Sequence, residues 1–211
     1  INLARDSSMD SLAELASGSR VQVQAGSSAG KTFFITGTPQ TLNLSAIHWV
    51  EDALNVDVSL LASDDDVTLG NAVDINAQGS GVKLTLGAAS SVTSGVVDFT
   101  GLVTMQNQLQ AAQELQSVNL TSSTSTGFGL RLSGVISEAD GGVGATKDRL
   151  TLIKEGSGVA TLSGNNTFSG GITINQGTLL VMNTPSPTDS GTGTGTVQVN
   201  AGAVLGGTGS I

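Results

Sequence analysis

The sequence predicts an all-β fold, specifically a right-handed parallel β-helix (β-solenoid), and three observations support this expectation. Short runs in which apolar and polar residues alternate recur along the whole 211-residue chain. Dipeptides that favour tight hairpins are scarce. The apolar residues are mainly small and aliphatic, since aromatic residues make up only 3% of the chain. Such strands pack well in repeated layers, whereas a sandwich of hairpins requires many two-residue turns.

The alternating runs predict strands that bury one face, because successive side chains of a strand point to opposite sides. Residues 82–86 (VKLTL) and 172–174 (ITI) show the pattern, and each is followed by Gly or Asn, which tolerate tight turns. The predicted strands cover residues 21–24, 33–35, 42–44, 56–58, 67–69, 73–75, 82–86, 97–99, 118–120, 130–132, 150–152, 172–174, 179–181 and 197–199.

Strands of this length fit two architectures, an antiparallel sandwich and a solenoid with parallel stacking. Asn-Gly and Asp-Gly, the dipeptides that favour two-residue reversals, occur once, at Asp140-Gly141, and no alternating run adjoins this position. The solenoid is therefore favoured. We expect coils of roughly 20–25 residues, stacked at ~4.8 Å.

Two segments carry a helical rather than a strand pattern. Residues 8–16 place apolar side chains at helical spacing, and Ser11 with Glu14 forms a capping-box pair. This segment predicts a helix that covers the first coil, with an irregular strand as the alternative reading. Residues 105–116 (MQNQLQAAQELQ) contain good helix formers and an apolar line, so they predict a short helix that interrupts a coil.

The last 80 residues or so carry a dense and specific motif. It consists of Lys154, Gly156-Ser157-Gly158, Thr161-Leu162-Ser163-Gly164, Asn166-Thr167-Phe168, Gly170-Gly171 and Gly177-Thr178-Leu179. This arrangement closely resembles the autotransporter-associated β-strand repeat, and the resemblance is strongest over about residues 130–211. The sequence departs from the family pattern at Val159, where Thr is usual, and over residues 182–189, a longer loop that contains Pro.

The resemblance to autotransporter passengers implies a secreted β-helix, located outside the cell or on the bacterial cell surface. It implies a structural or surface-display module, either the stalk of an autotransporter-like protein or a subunit of an extracellular fibre. We expect residues 1–211 to form a single β-solenoid domain. Within it, residues 1–20 would form a cap, residues 21–129 divergent coils, and residues 130–211 the repeat coils.

Several side chains of the repeat region have expected positions in such a coil. Asn165, Asn166 and Asn175 lie where polar side chains stack from coil to coil and satisfy buried backbone groups. Phe168 is expected to fill an interior layer. The residues expected to point inward in adjacent layers are Ile172, Ile174, Val197 and Val199.

Composition excludes several functional classes. The chain carries 8 Lys and Arg against 17 Asp and Glu, a formal net charge of −9, and its basic residues form no cluster, so we expect no nucleic-acid partner. The absence of Cys excludes disulfides and thiolate metal sites. No apolar run approaches the roughly 20 residues of a transmembrane helix. No phosphate-binding motif opens a helix, so we expect no cofactor.

The sequence predicts no catalytic residues and therefore no enzyme. His48, the single histidine, lies in an apolar context between Ile47 and Trp49, where packing is the expected role. A Ser–His–Asp triad would have to use this histidine, and no Gly-x-Ser-x-Gly elbow precedes a helix.

Carboxylates offer the main alternatives. Asp64-Asp65-Asp66 is the densest acidic run and could hold Ca²⁺, although solubility is the expected role, so we predict no metal site. Asp74 and Asp98 have matching strand contexts and are expected to stack one coil apart, with Lys83 the nearest base. Stacked carboxylates beside a base would favour a polysaccharide lyase or hydrolase, and exposed aromatic residues along a groove would favour a glycan- or host-binding adhesin.

The two ends of the sequence are strand-like and carry little that would block pairing. A β-helix exposes unpaired backbone groups at both ends, so we expect either end-to-end self-association or continuation into further coils of a larger surface protein. The residues predicted to take part in self-association are Ile1, Leu3, Val204, Leu205 and Ile211.

Overall fold

The computed structural model describes residues 7–8, 19–24, 31–35, 44–50, 58–62, 66–70, 72–77, 83–89, 92–107, 115–121, 127–138, 149–185 and 187–211. These residues form strands and connections and contain no helix. The strands are β1 (Ser7–Ser8), β2 (Ser19–Gln24), β3 (Lys31–Ile35), β4 (Leu44–Val50), β5 (Val58–Ala62), β6 (Val67–Leu69), β7 (Ala72–Ala77), β8 (Lys83–Ala88), β9 (Ser94–Phe99), β10 (Val103–Asn107), β11 (Leu115–Thr121), β12 (Gly127–Leu132), β13 (Ile136–Glu138), β14 (Arg149–Glu155), β15 (Val159–Leu162), β16 (Ile172–Ile174), β17 (Thr178–Val181), β18 (Val197–Val199) and β19 (Val204–Gly207).

The strands form three sheets, and each pair of neighbours within them is parallel. Sheet 1 has the order β1-β3-β5-β8-β11-β14-β16-β18, sheet 2 the order β2-β4-β7-β10-β13, and sheet 3 the order β6-β9-β12-β15-β17-β19. From β5 to β15 the chain visits sheets 1, 3 and 2 in turn, and after β15 it alternates between sheets 1 and 3. Neighbouring strands are never consecutive in sequence, as parallel pairing requires.

One hydrophobic core joins the inner faces of the three sheets. Strand β14 shows how alternation builds it, because Leu150 and Leu152 are buried while Thr151 and Ile153, the residue that follows each of them, are only partly covered. Residues of sheet 2, such as Val73 and Val103, belong to the same cluster. The burial of each large aliphatic side chain stabilises the fold by ~1.5–3 kcal/mol.

The expected inward residues are largely confirmed. Phe168, Ile172 and Ile174 are buried in the core. Val197 is half-buried and packs against the core, but Val199 is 44% exposed. Val199 is exposed because β18 is the outermost strand of sheet 1, so a neighbouring strand lies on only one side of it.

The predicted helix over residues 105–116 is wrong at both of its ends. Met105 lies in β10, where it pairs with Ile75 of β7 and Glu138 of β13. Leu115 begins β11, and residues 108–114 lie outside the described residues. Strand pairing on both sides of β10 outweighs the local helix propensity of its residues, which differs among ordinary residues by less than ~1 kcal/mol each.

The predicted N-terminal cap, residues 8–16, lies outside the described residues except for Ser8, which ends β1. The coils also differ from the expected length. Hydrogen bonds between adjacent coils join residues 20 apart at Asn175 and Glu155, but 35 apart at Ser133 and Asp98. The spacing of paired residues varies before β14, from 26 positions between Val58 and Leu84 to 34 between Leu84 and Val118. It therefore exceeds the expected repeat of roughly 20–25 residues most clearly between β8 and β11.

Glycine is required where the chain turns between sheets. Gly177 precedes β17 with φ +67°, and a side chain there would collide with the carbonyl oxygens of Gly158 and Gly156 in the preceding coil. Only glycine combines this backbone conformation with such a close approach.

The burial pattern of β16 predicts contrasting effects for two adjacent substitutions. Ile174→Asp places an unpaired carboxylate in the core and should reduce the free energy of unfolding by about 3–5 kcal/mol. Thr173→Asp places the same group on the outer face and should change it by less than about 0.5 kcal/mol. Urea denaturation followed by circular dichroism measures both, and equal losses in the two variants would contradict the assignment of the inner face.

Candidate functional site

The acidic residues singled out in the sequence lie on different sheets. Asp74 is in β7 of sheet 2, where its register partners are His48 and Thr104. Asp98 is in β9 of sheet 3, where it pairs with Thr68 and Arg131. The predicted stacking of Asp74 on Asp98 is therefore wrong, because the chain passes to another sheet between two strands of similar pattern.

The remaining predicted residues are only partly described. Asp66 adopts φ +56° before β6, and its Oδ1 atom accepts the backbone N–H of Val96 at 2.9 Å, so it joins two coils. Asp64, Asp65, Ile1 and Leu3 lie outside the described residues. Within the part of the chain that the structure describes, no three His, Cys, Asp or Glu residues are grouped so as to hold a metal ion. No helix among those residues is long and apolar enough to cross a membrane.

A charged cluster on the outer face of sheet 3 has a geometry that the sequence did not reveal. The guanidinium Nε of Arg131 lies 2.9 Å from Oδ2 of Asp98 on the neighbouring strand. The hydroxyl of Ser133 donates to the same carboxylate, at 2.8 Å from Oδ1 and 3.1 Å from Oδ2. The Asp98 side chain is 13% exposed and the Arg131 side chain 48% exposed, so the carboxylate holds a guanidinium that remains accessible.

The signal for this pair was present in the alternating runs. Two of these runs place one charged residue between two apolar ones, namely Val97-Asp98-Phe99 and Leu130-Arg131-Leu132. Both runs occupy the same register position on neighbouring strands of sheet 3. An alignment of these two runs as register partners would have paired the charges. A search for the acidic and basic residues that lie nearest to each other in the sequence could not have found this pair, because Asp98 and Arg131 lie far apart along the chain.

A groove of about 440 Å³ adjoins this cluster on the outer face of sheet 3. It crosses β9, β12, β15 and β17, so its long direction runs from coil to coil. Small residues at outward positions create the depression, and larger residues form its walls. The small residues are Gly129, Thr161 and Ser163, and the larger ones are Val96, Leu180 and Met182.

Asparagine side chains connect successive coils, as predicted. Buried Asn166 accepts the backbone N–H of Ile136 at 2.8 Å and donates to the carbonyl of Gly191 at 2.6 Å, so it joins three layers. Asn175 donates to Glu155 at 2.7 Å and accepts from Asn200, also at 2.7 Å. These bonds satisfy polar groups that would otherwise be buried without partners.

Asn165 takes part in a third set of contacts at the edge of the repeat. Its Nδ2 atom donates to Asp189 at 3.1 Å, and its Oδ1 atom accepts from Asn183 at 3.1 Å. Asn183 is itself buried and accepts the backbone N–H of Ser210 at 3.0 Å. Asn183 is thereby bonded to residues that precede and follow it by a full layer, and Asp189 is bonded to the preceding layer.

Lys154 is the most unusual ionisable group among the described residues. It occupies a core position of β14 in register with Ile174, and it is fully buried. Its ammonium group donates to the carbonyls of Glu155 and Gly156 at 2.7 Å each, and to that of Gln176 in the next coil at 3.3 Å. Burial lowers the pKa of Lys154 from 10.5 to about 8, and the neighbouring Glu155 carboxylate raises it in part.

A lysine with a lowered pKa is often functional, but these contacts indicate a structural role. All three acceptors are backbone carbonyls of the two turns that end β14 and β16, and no reactive partner among the described residues contacts Nζ. Lys154 therefore joins two adjacent coils at a corner of the core.

The lowered pKa of Lys154 predicts a rise in stability at alkaline pH. Between pH 8 and 10.5 the unfolded chain keeps the proton that the folded chain releases, so the free energy of unfolding increases through this window, by on the order of 3 kcal/mol. Below pH 8 both states are protonated and this gain is absent. Lys154→Met should abolish the increase, as measured by urea denaturation at pH 7 and pH 10.

A matched control is Lys83→Met, which removes the charge of a partly exposed lysine in the same sheet. This variant should keep the pH dependence of the unmodified chain. If Lys154→Met also keeps it, the assignment of the alkaline stabilisation to Lys154 is wrong.

Comparison with known proteins bears on the coils that hold these residues. No curated protein and no solved structure matched the chain. The passenger-associated-transport-repeat family matches residues 152–181, from within β14 to the end of β17, a segment that contains Lys154, Asn166, Phe168 and Asn175. The resemblance to autotransporter passengers is confirmed, and the chain carries a passenger-associated transport repeat over residues 152–181.

Proposed function

We propose that the chain is a right-handed parallel β-helix that serves as a structural, surface-display module of an autotransporter-like protein. The observation that carries this proposal is the parallel register of the three sheets, in which residues of the passenger repeat stack on equivalent residues of the next coil. Leu152, Ile172 and Val197 illustrate it as successive partners in sheet 1. We propose one solenoid domain over residues 1–211.

Right-handed winding is supported by a general rule of chain topology. Parallel strands of one sheet that are joined by a crossover are connected with right-handed sense in about 98% of cases, because the twist of the strands favours it. The pairs from β5 to β8 and from β8 to β11 each require such a crossover through the other two sheets.

The proposed stalk role agrees with how the fold is stabilised. In the repeat region, neighbouring layers of sheets 1 and 3 share a row of backbone partners, a layer of aliphatic side chains and a polar ladder. Stability in such arrays is a sum over neighbouring units, so it grows with the number of coils. This stability requires no disulfide bonds, since the chain contains no cysteine, and that property suits a long extracellular module.

The passenger repeat is found in proteins that are secreted or held at the cell surface, and we propose an extracellular location on a bacterial cell. The acidic composition, with a formal net charge of −9, supports solubility there and does not suit a nucleic-acid partner.

We infer that the module is not an enzyme. Asp98 is bonded to Arg131 and Ser133, so its carboxylate acts as a structural partner of these two side chains. The purified chain should release no reducing sugar from polygalacturonate, alginate or glucans above a heat-inactivated control. Sugar release that scales with protein concentration and disappears in Asp98→Asn would contradict this inference.

We further propose that the outermost strands of sheets 1 and 3 accept another coil. Val199 of β18 and Val204 of β19 are exposed, and Leu205 packs only partly against the core. The added coil would be either the next coil of a larger surface protein or the other end of a second copy, through Ile1 and Leu3. Ile211, also exposed, would then be covered.

Concentration-dependent assembly tests the self-association. The isolated 211-residue chain should form linear particles at high concentration in light scattering and electron microscopy, because strand pairing at its ends buries apolar side chains and satisfies backbone groups. Val204→Lys should shorten or abolish them, whereas Thr161→Lys, on the side of sheet 3, should not. A strict monomer at all concentrations would leave continuation into further coils as the remaining role of this end.

A further inference from the structure

The groove on sheet 3 is a product of side-chain size at register positions. Gly129 lies between Val96 and Val159 on adjacent strands, and Thr161 lies between Arg131 and Leu180. A small residue with larger neighbours on both sides leaves a depression in the outer face. Because four strands contribute, the groove extends for about 14 Å along the stacking direction.

The lining of the groove combines an aliphatic surface with one oriented cation. Val96 is 37% exposed and Met182 46% exposed, and Leu180 adds to the same surface. Arg131 lines the groove while its Nε atom is bonded to Asp98. A guanidinium has donors on two further nitrogen atoms, and a fixed guanidinium loses little conformational freedom when it binds a carboxylate.

The hydroxyl-bearing residues are placed beside this cation. Thr161 is the register partner of Arg131, and Ser163 lies two residues further along β15 and its following turn. Ligand sites of several hundred Å³ are typically apolar with a few polar groups that fix orientation, and this groove has that composition.

We propose that the groove binds amphipathic carboxylates, with the carboxylate on Arg131 and the aliphatic body along Val96, Leu180 and Met182. Asp98 compensates part of the positive charge, so binding depends on directed hydrogen bonds to the guanidinium together with apolar contact. Arg131 is one of only 8 basic residues in a chain with 17 acidic ones, so a carboxylate finds few other cationic partners on this molecule. The proposal is independent of the stalk role.

Two other occupants fit the groove less well. An extended peptide usually binds by adding a strand to an open sheet edge, but the groove crosses strands that are already paired on both sides. A glycan usually stacks its rings on aromatic side chains, and the groove is lined by aliphatic ones.

Binding of octanoate to the full chain tests the proposal. The chain contains three Met, so ¹³C-methyl labelling of methionine gives a simple spectrum in which Met182 is assigned with Met182→Leu. Octanoate should shift the Met182 methyl signal in a saturable manner. Octanamide, its neutral isostere, should bind about tenfold more weakly, and acetate, which lacks the aliphatic body, should produce no shift at the same concentration.

Substitutions separate the two parts of the site. Arg131→Gln should weaken octanoate binding about tenfold and leave octanamide binding unchanged. Gly129→Val should weaken both, since a Cβ atom at position 129 meets only the Val96 side chain, at 3.6 Å, and therefore fills the groove without a backbone clash. Val199→Thr, a change at an exposed valine on sheet 1 that does not line the groove, is the matched control and should change neither.

Three results would overturn the proposal. The first is the absence of any octanoate-dependent shift at Met182 in the folded chain. The second is equal affinity for octanoate and octanamide, which would remove the role of Arg131. The third is tighter, Arg131-dependent binding of trigalacturonate, or of a Glu-rich peptide, which would assign the groove to an anionic glycan or an acidic peptide.

Discussion

Parallel backbone pairing between successive coils determines where every other group of the molecule lies. Each strand is fixed by the one below it, so residues 20 to 35 positions apart in sequence are in direct contact. With the register fixed, alternation along each strand separates a continuous aliphatic core from the outer faces. A shift of one residue would exchange the two faces, and the core therefore specifies the register as strongly as the backbone bonds do.

The same constraint explains why polar groups occur in and around the core. Lys154 and Asn166 are buried at corners, where the chain leaves one sheet and carbonyl or amide groups lack strand partners. Each side chain bonds to more than one coil, so it substitutes for ladder hydrogen bonds at the points where the ladder stops. Fully satisfied polar contacts of this kind fix one arrangement of neighbouring turns, since any other arrangement leaves buried groups unpaired.

Local pattern was sufficient to predict most strands, the inward residues other than Val199 and the Asn ladders of the repeat region, because these depend on spacing within one layer and its equivalent in the next. The sheet to which each strand belongs was harder to predict from the sequence. Asp74 and Asp98 look equivalent in sequence but occupy different sheets, whereas Asp98 and Arg131 are neighbours across a longer coil. The helix predicted over residues 105–116 was wrong for a related reason, because the pairing of β10 with two strands overrides the helix propensity of its residues.

Nuclear Overhauser contacts between the backbones of β16 and β18 test the parallel stacking most directly. Parallel pairing predicts contacts between amide and α protons of Ile172 with Val197, Thr173 with Gln198 and Ile174 with Val199, in that order along both strands. Strong contacts between α protons, with the order reversed along one strand, would indicate antiparallel pairing, because such pairs bring Cα atoms closest. That result would contradict the proposed solenoid and the site geometry that depends on parallel pairing.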